Sequence, residues 1–73
     1  MIVTIMNKTY QMSNQEAKGL LKVASEQVPF GIYALEQAGK MSLENIHCRS
    51  ITQLKKRKRE FKQAGFKVHS NGL

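Results

Sequence analysis

The sequence predicts a small two-layer α+β domain of order ββαββαβ, a mostly antiparallel sheet with two helices packed on one face. Three observations predict it. Two boxes of the Ser-x-x-Glu/Gln type, Ser13 with Glu16 and Ser50 with Gln53, each open a run whose apolar residues recur at helical spacing. The segments around those runs are short and rich in β-branched or aromatic residues or in alternation. A chain of 73 residues also encloses too little interior for a second core, so residues 1–73 form one domain of two layers at most.

Residues 1–6 are β-branched and apolar, Asn7-Lys8 is a tight turn, and residues 9–12 return antiparallel as a hairpin. Ile2, Thr4 and Met6 share one face and Val3 and Ile5 the other. At Ser13 the hydroxyl can accept from the Glu16 amide, and Met12 can staple onto Ala17. Ala17, Leu20, Leu21, Ala24 and Val28 then form one apolar stripe, with Lys18, Lys22 and Glu26 outside it. Pro29 and Gly31 end the helix, because proline disfavours helix in the residue before it and has no amide to donate.

Residues 30–48 fit either a hairpin or a helix. Ala34-Leu35-Glu36-Gln37-Ala38 is built of good helix formers, whereas Ile32 and Tyr33 suit a sheet and Gly39 supplies the positive φ of a turn. The shortness of the segment favours two strands. The second helix starts at the Ser50 box and runs to about Ala64, with Gly65 in the left-handed terminal position and Phe66 placed to touch Phe61. Phe66-Lys67-Val68-His69 alternates as a last strand, and residues 70–73 read as a frayed tail.

The charge is segregated. The +7 net charge comes entirely from residues 40–73, where nine basic residues face Glu44 and Glu60; residues 1–39 balance Lys8, Lys18 and Lys22 against Glu16, Glu26 and Glu36. A field confined to one half attracts phosphate backbones, anionic lipid or an acidic protein surface. Its source is the run Lys55-Lys56-Arg57-Lys58-Arg59 in the second helix. On a helical wheel Ile51, Leu54, Phe61 and Ala64 face the core, while Lys55, Arg59 and Lys62 form an outward ridge. Arg57 and Lys58 flank the apolar stripe and extend their charged ends past it. Cations three and four apart repel along a helix, and a merely solvated face would intersperse glutamates.

Lys55, Lys56, Arg57, Lys58, Arg59 and Lys62, with Arg49 before the helix and Lys67 after it, are therefore the candidate nucleic-acid contacts. They read as phosphate ligands without sequence preference. The rival reading is a small regulator or inhibitor, of the kind phages and mobile elements carry, that docks on an acidic host protein. A homodimer through a sheet edge is a third, residues 1–6 being an apolar strand with few guarding charges. Tyr10, Phe30 and Tyr33 could offer stacking surface, Tyr10 being the best placed for exposure.

Catalysis is not expected. The chain has no Asp, its Glu residues are scattered, and Cys48 with His47 and His69 falls short of a zinc ligand set, so neither metal nor cofactor is assigned. A lone Cys48 points to a reducing compartment, the cytoplasm. The apolar N-terminal stretch is too short for a membrane span and lacks the basic start of a signal peptide.

Overall fold

The chain opens with a hairpin whose turn lies one residue earlier than the composition suggested. In the computed structural model, which describes residues 1–72, β1 (Ile2–Ile5) pairs antiparallel with β2 (Lys8–Gln11), Ile5 opposite Lys8. The two linking residues, Met6 and Asn7, have φ of 49° and 69°. Positive φ at both positions gives the turn the twist that two right-twisted strands need, so the pair that can close the hairpin is Met6-Asn7 rather than Asn7-Lys8.

Helix α1 (Asn14–Gln27) begins with half of the capping box: the Glu16 amide donates to Ser13 Oγ at 3.2 Å, while the Glu16 carboxylate, expected to reach back to the Ser13 amide, accepts from the Ser13 hydroxyl at 3.1 Å instead. Ala17, Ala24 and Val28 are buried, Leu20 and Leu21 half-buried, so the expected stripe is the packed face. Residues 31–47 resolve into strands β3 (Gly31–Gln37) and β4 (Lys40–His47), joined by Ala38-Gly39 with φ of 51° and 77°. Ala38 sits in the left-handed region that alanine disfavours by about 1 kcal/mol. Ala38→Asn, which completes the favoured Asn-Gly turn, should therefore raise stability by about 0.5–1 kcal/mol, read as a shift of the urea midpoint at constant slope.

Helix α2 (Ile51–Gln63) and strand β5 (Lys67–Asn71) complete the order ββαββαβ of a small α+β domain. The five strands form one sheet in the order β2-β1-β4-β3-β5, antiparallel throughout except where β1 lies parallel to β4.

The layering departs from the expected one. Ala17 of α1 packs with Val3, Ala34 and Met41, whereas Leu54 of α2 packs with Ile32, Leu35 and Cys48. Ala34 and Leu35 are neighbours on one strand and point to opposite faces, so the helices cover opposite faces of the sheet and the domain has three layers, not two. Handedness explains this. The crossover from β2 to β3 through α1 and that from β4 to β5 through α2 move the same way across the sheet, but their strands run in opposite directions. Two crossovers of one hand must then lie on opposite faces, as the strong preference for right-handed connections demands. A bulge in β3 between Ile32 and Ala34 shifts the alternation, which lets Ile32 and Leu35 share the α2 face.

The expected tail is also ordered further than alternation alone implied. Ser70 and Asn71 belong to β5, and the Asn71 carboxamide donates to the carbonyls of Ser25 at 2.9 Å and Val28 at 3.1 Å. These are carbonyls that the end of α1 leaves without helical partners. Leu73 lies outside the described residues.

Candidate nucleic-acid interface

The basic helix is fixed at both ends. Ser50 Oγ accepts from the Gln53 amide at 3.1 Å, and Gln53 Oε1 accepts from the Arg49 amide at 2.7 Å, one residue before the N-cap rather than at it. At the other end Gly65 takes φ 93°, its amide donates to the Lys62 carbonyl at 3.0 Å, and the Phe66 amide donates to the Phe61 carbonyl at 3.1 Å. That is a complete Schellman motif. Its apolar contact is the edge-to-face pair Phe61–Phe66, ring centroids 6.2 Å apart. The Gln37 side chain adds a bond to the Ala64 carbonyl at 3.3 Å, tying the last turn to β3.

Between these caps the helix is held by Leu54, 0% exposed, with Phe61 half-buried beside it. Ile51, expected in the core stripe, is 51% exposed, and Ala64 is exposed as well. The helix rests on β3 and on β5, the outermost strand, and that footing is too narrow to bury a full stripe. Lys58 is half-buried and follows the apolar edge as its wheel position implied; Lys55, Lys56, Arg57, Arg59 and Lys62 are exposed.

Electrostatically the ridge stands alone. Residues 51–63 hold those six cations against Glu60. Among the described residues the one carboxylate within ion-pair distance of a basic side chain is Glu36, whose Oε1 lies 3.1 Å from His69 Nε2 on the α1 side of the sheet. No carboxylate of the described residues therefore neutralises the α2 cations at contact distance. Lys55 and Arg59, and Lys58 and Lys62, stand four apart and repel. Only Lys62, in the last turn, gains from the negative end of the helix dipole.

Of the other candidates, Arg49 is exposed at the entry to α2, one residue before its N-cap. Lys67 does not join the ridge. Lys67 registers with Glu36 and Val68 with Leu35; since Leu35 and Val68 pack with α2, alternation sends Lys67 to the α1 side. There it lines a cleft of about 330 Å³ with Lys18, Glu36 and His69. Tyr10 is exposed, at 44%, but it pairs with Val3 and so also lies on the α1 side, away from the ridge, while Phe30 and Tyr33 are half-buried. The residues considered for a metal are dispersed: Cys48 is buried beside Leu54, His47 is exposed, and His69 faces α1.

Fold and site together define a three-layer α+β domain with one capped, cationic helix on an outer face. No protein-family model, no curated protein and no solved structure matches the chain. No helix among the described residues is long and apolar enough to cross a membrane.

Proposed function

We propose that the chain is a small non-catalytic binding protein of the cytoplasm that contacts nucleic acid through the phosphate backbone, using the outward ridge of α2. The observation that carries this reading is the exposed, capped helix bearing six cations with no carboxylate at ion-pair distance from any of them among the described residues. A helix pinned by Leu54 and by both caps presents its charges as a preorganised array, so little ordering is lost when phosphates meet it. Lys55, Arg59 and Lys62 form the central contacts, Lys56, Arg57 and Lys58 flank them, and Arg49 extends the array. The buried, unpaired Cys48 fits a reducing compartment.

The test is an anisotropy titration of single- and double-stranded DNA and RNA across a salt series. With four or five phosphates engaged, log K should fall against log salt with a slope of about −4 for duplex DNA and about −3 for single strands. Binding should vary little with base sequence. No anisotropy change with any of the four at low salt refutes the reading. Capture of an acidic protein that survives nuclease treatment would assign the ridge to an acidic protein surface instead.

A further inference from the structure

We propose that the free edge of β2 is a homodimerisation surface, pairing antiparallel with β2 of a second copy of this chain about a twofold axis at Tyr10. The sheet has two edges, β2 and β5. β5 lies against α2, so copies meeting there bring two strongly cationic helices together. β2 lies four strands away, about 19 Å at about 4.8 Å per strand, in the half of the chain whose charges sum to zero. Charge placement thus favours association at β2 and opposes it at β5. The expected apolar edge, residues 1–6, is unavailable, because β1 is paired on both sides by β2 and β4.

The backbone of β2 has the groups for such a pairing. Met1 and Met12 exchange both main-chain bonds, at 2.7 and 3.0 Å. In an antiparallel ladder bonded and non-bonded pairs alternate, so Val3 with Tyr10 and Ile5 with Lys8 are the other inward-bonded pairs. The N–H and C=O of Thr9 and Gln11 therefore point out of the sheet. Side chains directly across an antiparallel pair share a face, so a twofold self-pairing sets one residue of β2 opposite itself, and the two registers centred on the strand place Thr9 opposite Thr9 or Tyr10 opposite Tyr10. The second register sets Thr9 of each copy against Gln11 of the other and uses all four outward groups of each strand. The first leaves Gln11 facing Asn7, whose φ of 69° takes it out of the strand. With the tyrosines across the axis, Lys8 faces Met12, no like charges are opposed, and an exposed aromatic gains an aromatic partner.

The interface is short, so the dimer is a transient one. Its functional consequence rests on the phosphate-binding reading: each dimer carries two copies of α2, and a polyanion long enough to reach both binds more tightly than one that reaches a single helix.

Sedimentation velocity of the full chain without nucleic acid, from about 10 to about 500 µM, tests the association itself. The expected result is a weight-average sedimentation coefficient that climbs toward the dimer value with concentration. It should stay at the monomer value in Tyr10→Lys, which opposes two cations at the axis, and in Thr9→Pro, which removes an outward N–H while sparing every β1–β2 bond. Thermal melts by circular dichroism should show both variants folded; should the proline variant fail to fold, the exposed Tyr10 position decides alone. A chain that remains monomeric across the range overturns the proposal, as does a dimer that Tyr10→Lys leaves intact. Nucleic-acid titration of the same samples separates the two readings: a dimer that binds no nucleic acid retires the phosphate reading alone, and a monomer that binds it retires the dimer alone.

Discussion

Gly31→Ala should destabilise the domain by about 3 kcal/mol or more and lower its melting temperature by more than about 12 °C, a large fraction of what a chain this size possesses. Gly31 has φ 147°, and a Cβ built there would overlap the Ile46 carbonyl oxygen and stand 3.0 Å from His47 Cα. Both obstacles are backbone, and both belong to the β3–β4 ladder in which Gly31 pairs with His47. Relief requires opening the end of the longest pairing in the sheet, next to the entry of α2. Gly19 is the control of opposite sign. It lies within α1 with nothing within 4 Å of its built Cβ, so Gly19→Ala should stabilise by about 0.5–1 kcal/mol through helix propensity. Parallel thermal and urea melts of the two variants check both signs. A Gly31→Ala protein that melts with the parent would show that the strand ends can separate freely.

That contrast also marks what the sequence made legible. In the sequence Gly31 is legible only as a helix stop after Pro29, because its close approach is to Ile46, fifteen positions on. The helices were legible because their determinants are local: Ser13 and Ser50 with their N3 partners, Gly65 with Phe61 and Phe66, all within one turn. The turn at Ala38-Gly39 was only half legible, because a glycine at positive φ fits a helix C-cap as well as a hairpin turn. The layering was not, since it depends on β1 lying parallel to β4, a pairing between residues almost forty apart that no local pattern encodes. The misplacements of Lys67 and of Ile51 both follow from that gap. Lys67 alternates correctly as a strand residue, but its face is set by register with Glu36. Ile51 has the right helical phase, but its burial depends on whether a strand lies beneath it. In each case periodicity supplied the direction and tertiary placement decided what lay there.

The second large effect is expected at the ridge, and its value as a test lies in binding and stability moving apart. Lys55→Ala, Arg59→Ala and Lys62→Ala combined remove three exposed cations and, with them, the repulsive pairs Lys55–Arg59, Lys55–Lys58, Lys56–Arg59, Lys58–Lys62 and Arg59–Lys62. If these side chains neutralise phosphates, each loss flattens the salt dependence by about one unit of slope, so a parent slope of about −4 falls to about −1 and binding at moderate salt disappears. Stability should shift the other way. Like-charge pairs at these spacings cost about 0.2–0.5 kcal/mol each, and alanine is the best helix former, so the variant should gain about 1 kcal/mol and melt several degrees higher. A surface kept charged only for solubility would show the stability gain with no change in slope. Lys67→Ala is the matched control, because it removes one positive charge from the opposite face of the sheet. It should leave the slope within the error of the parent, since counterion release counts the cations at the phosphates and not the net charge of the protein. Equal losses of slope from Lys67→Ala and from Arg59→Ala would mean that the whole +7 field, and not the α2 ridge, governs binding.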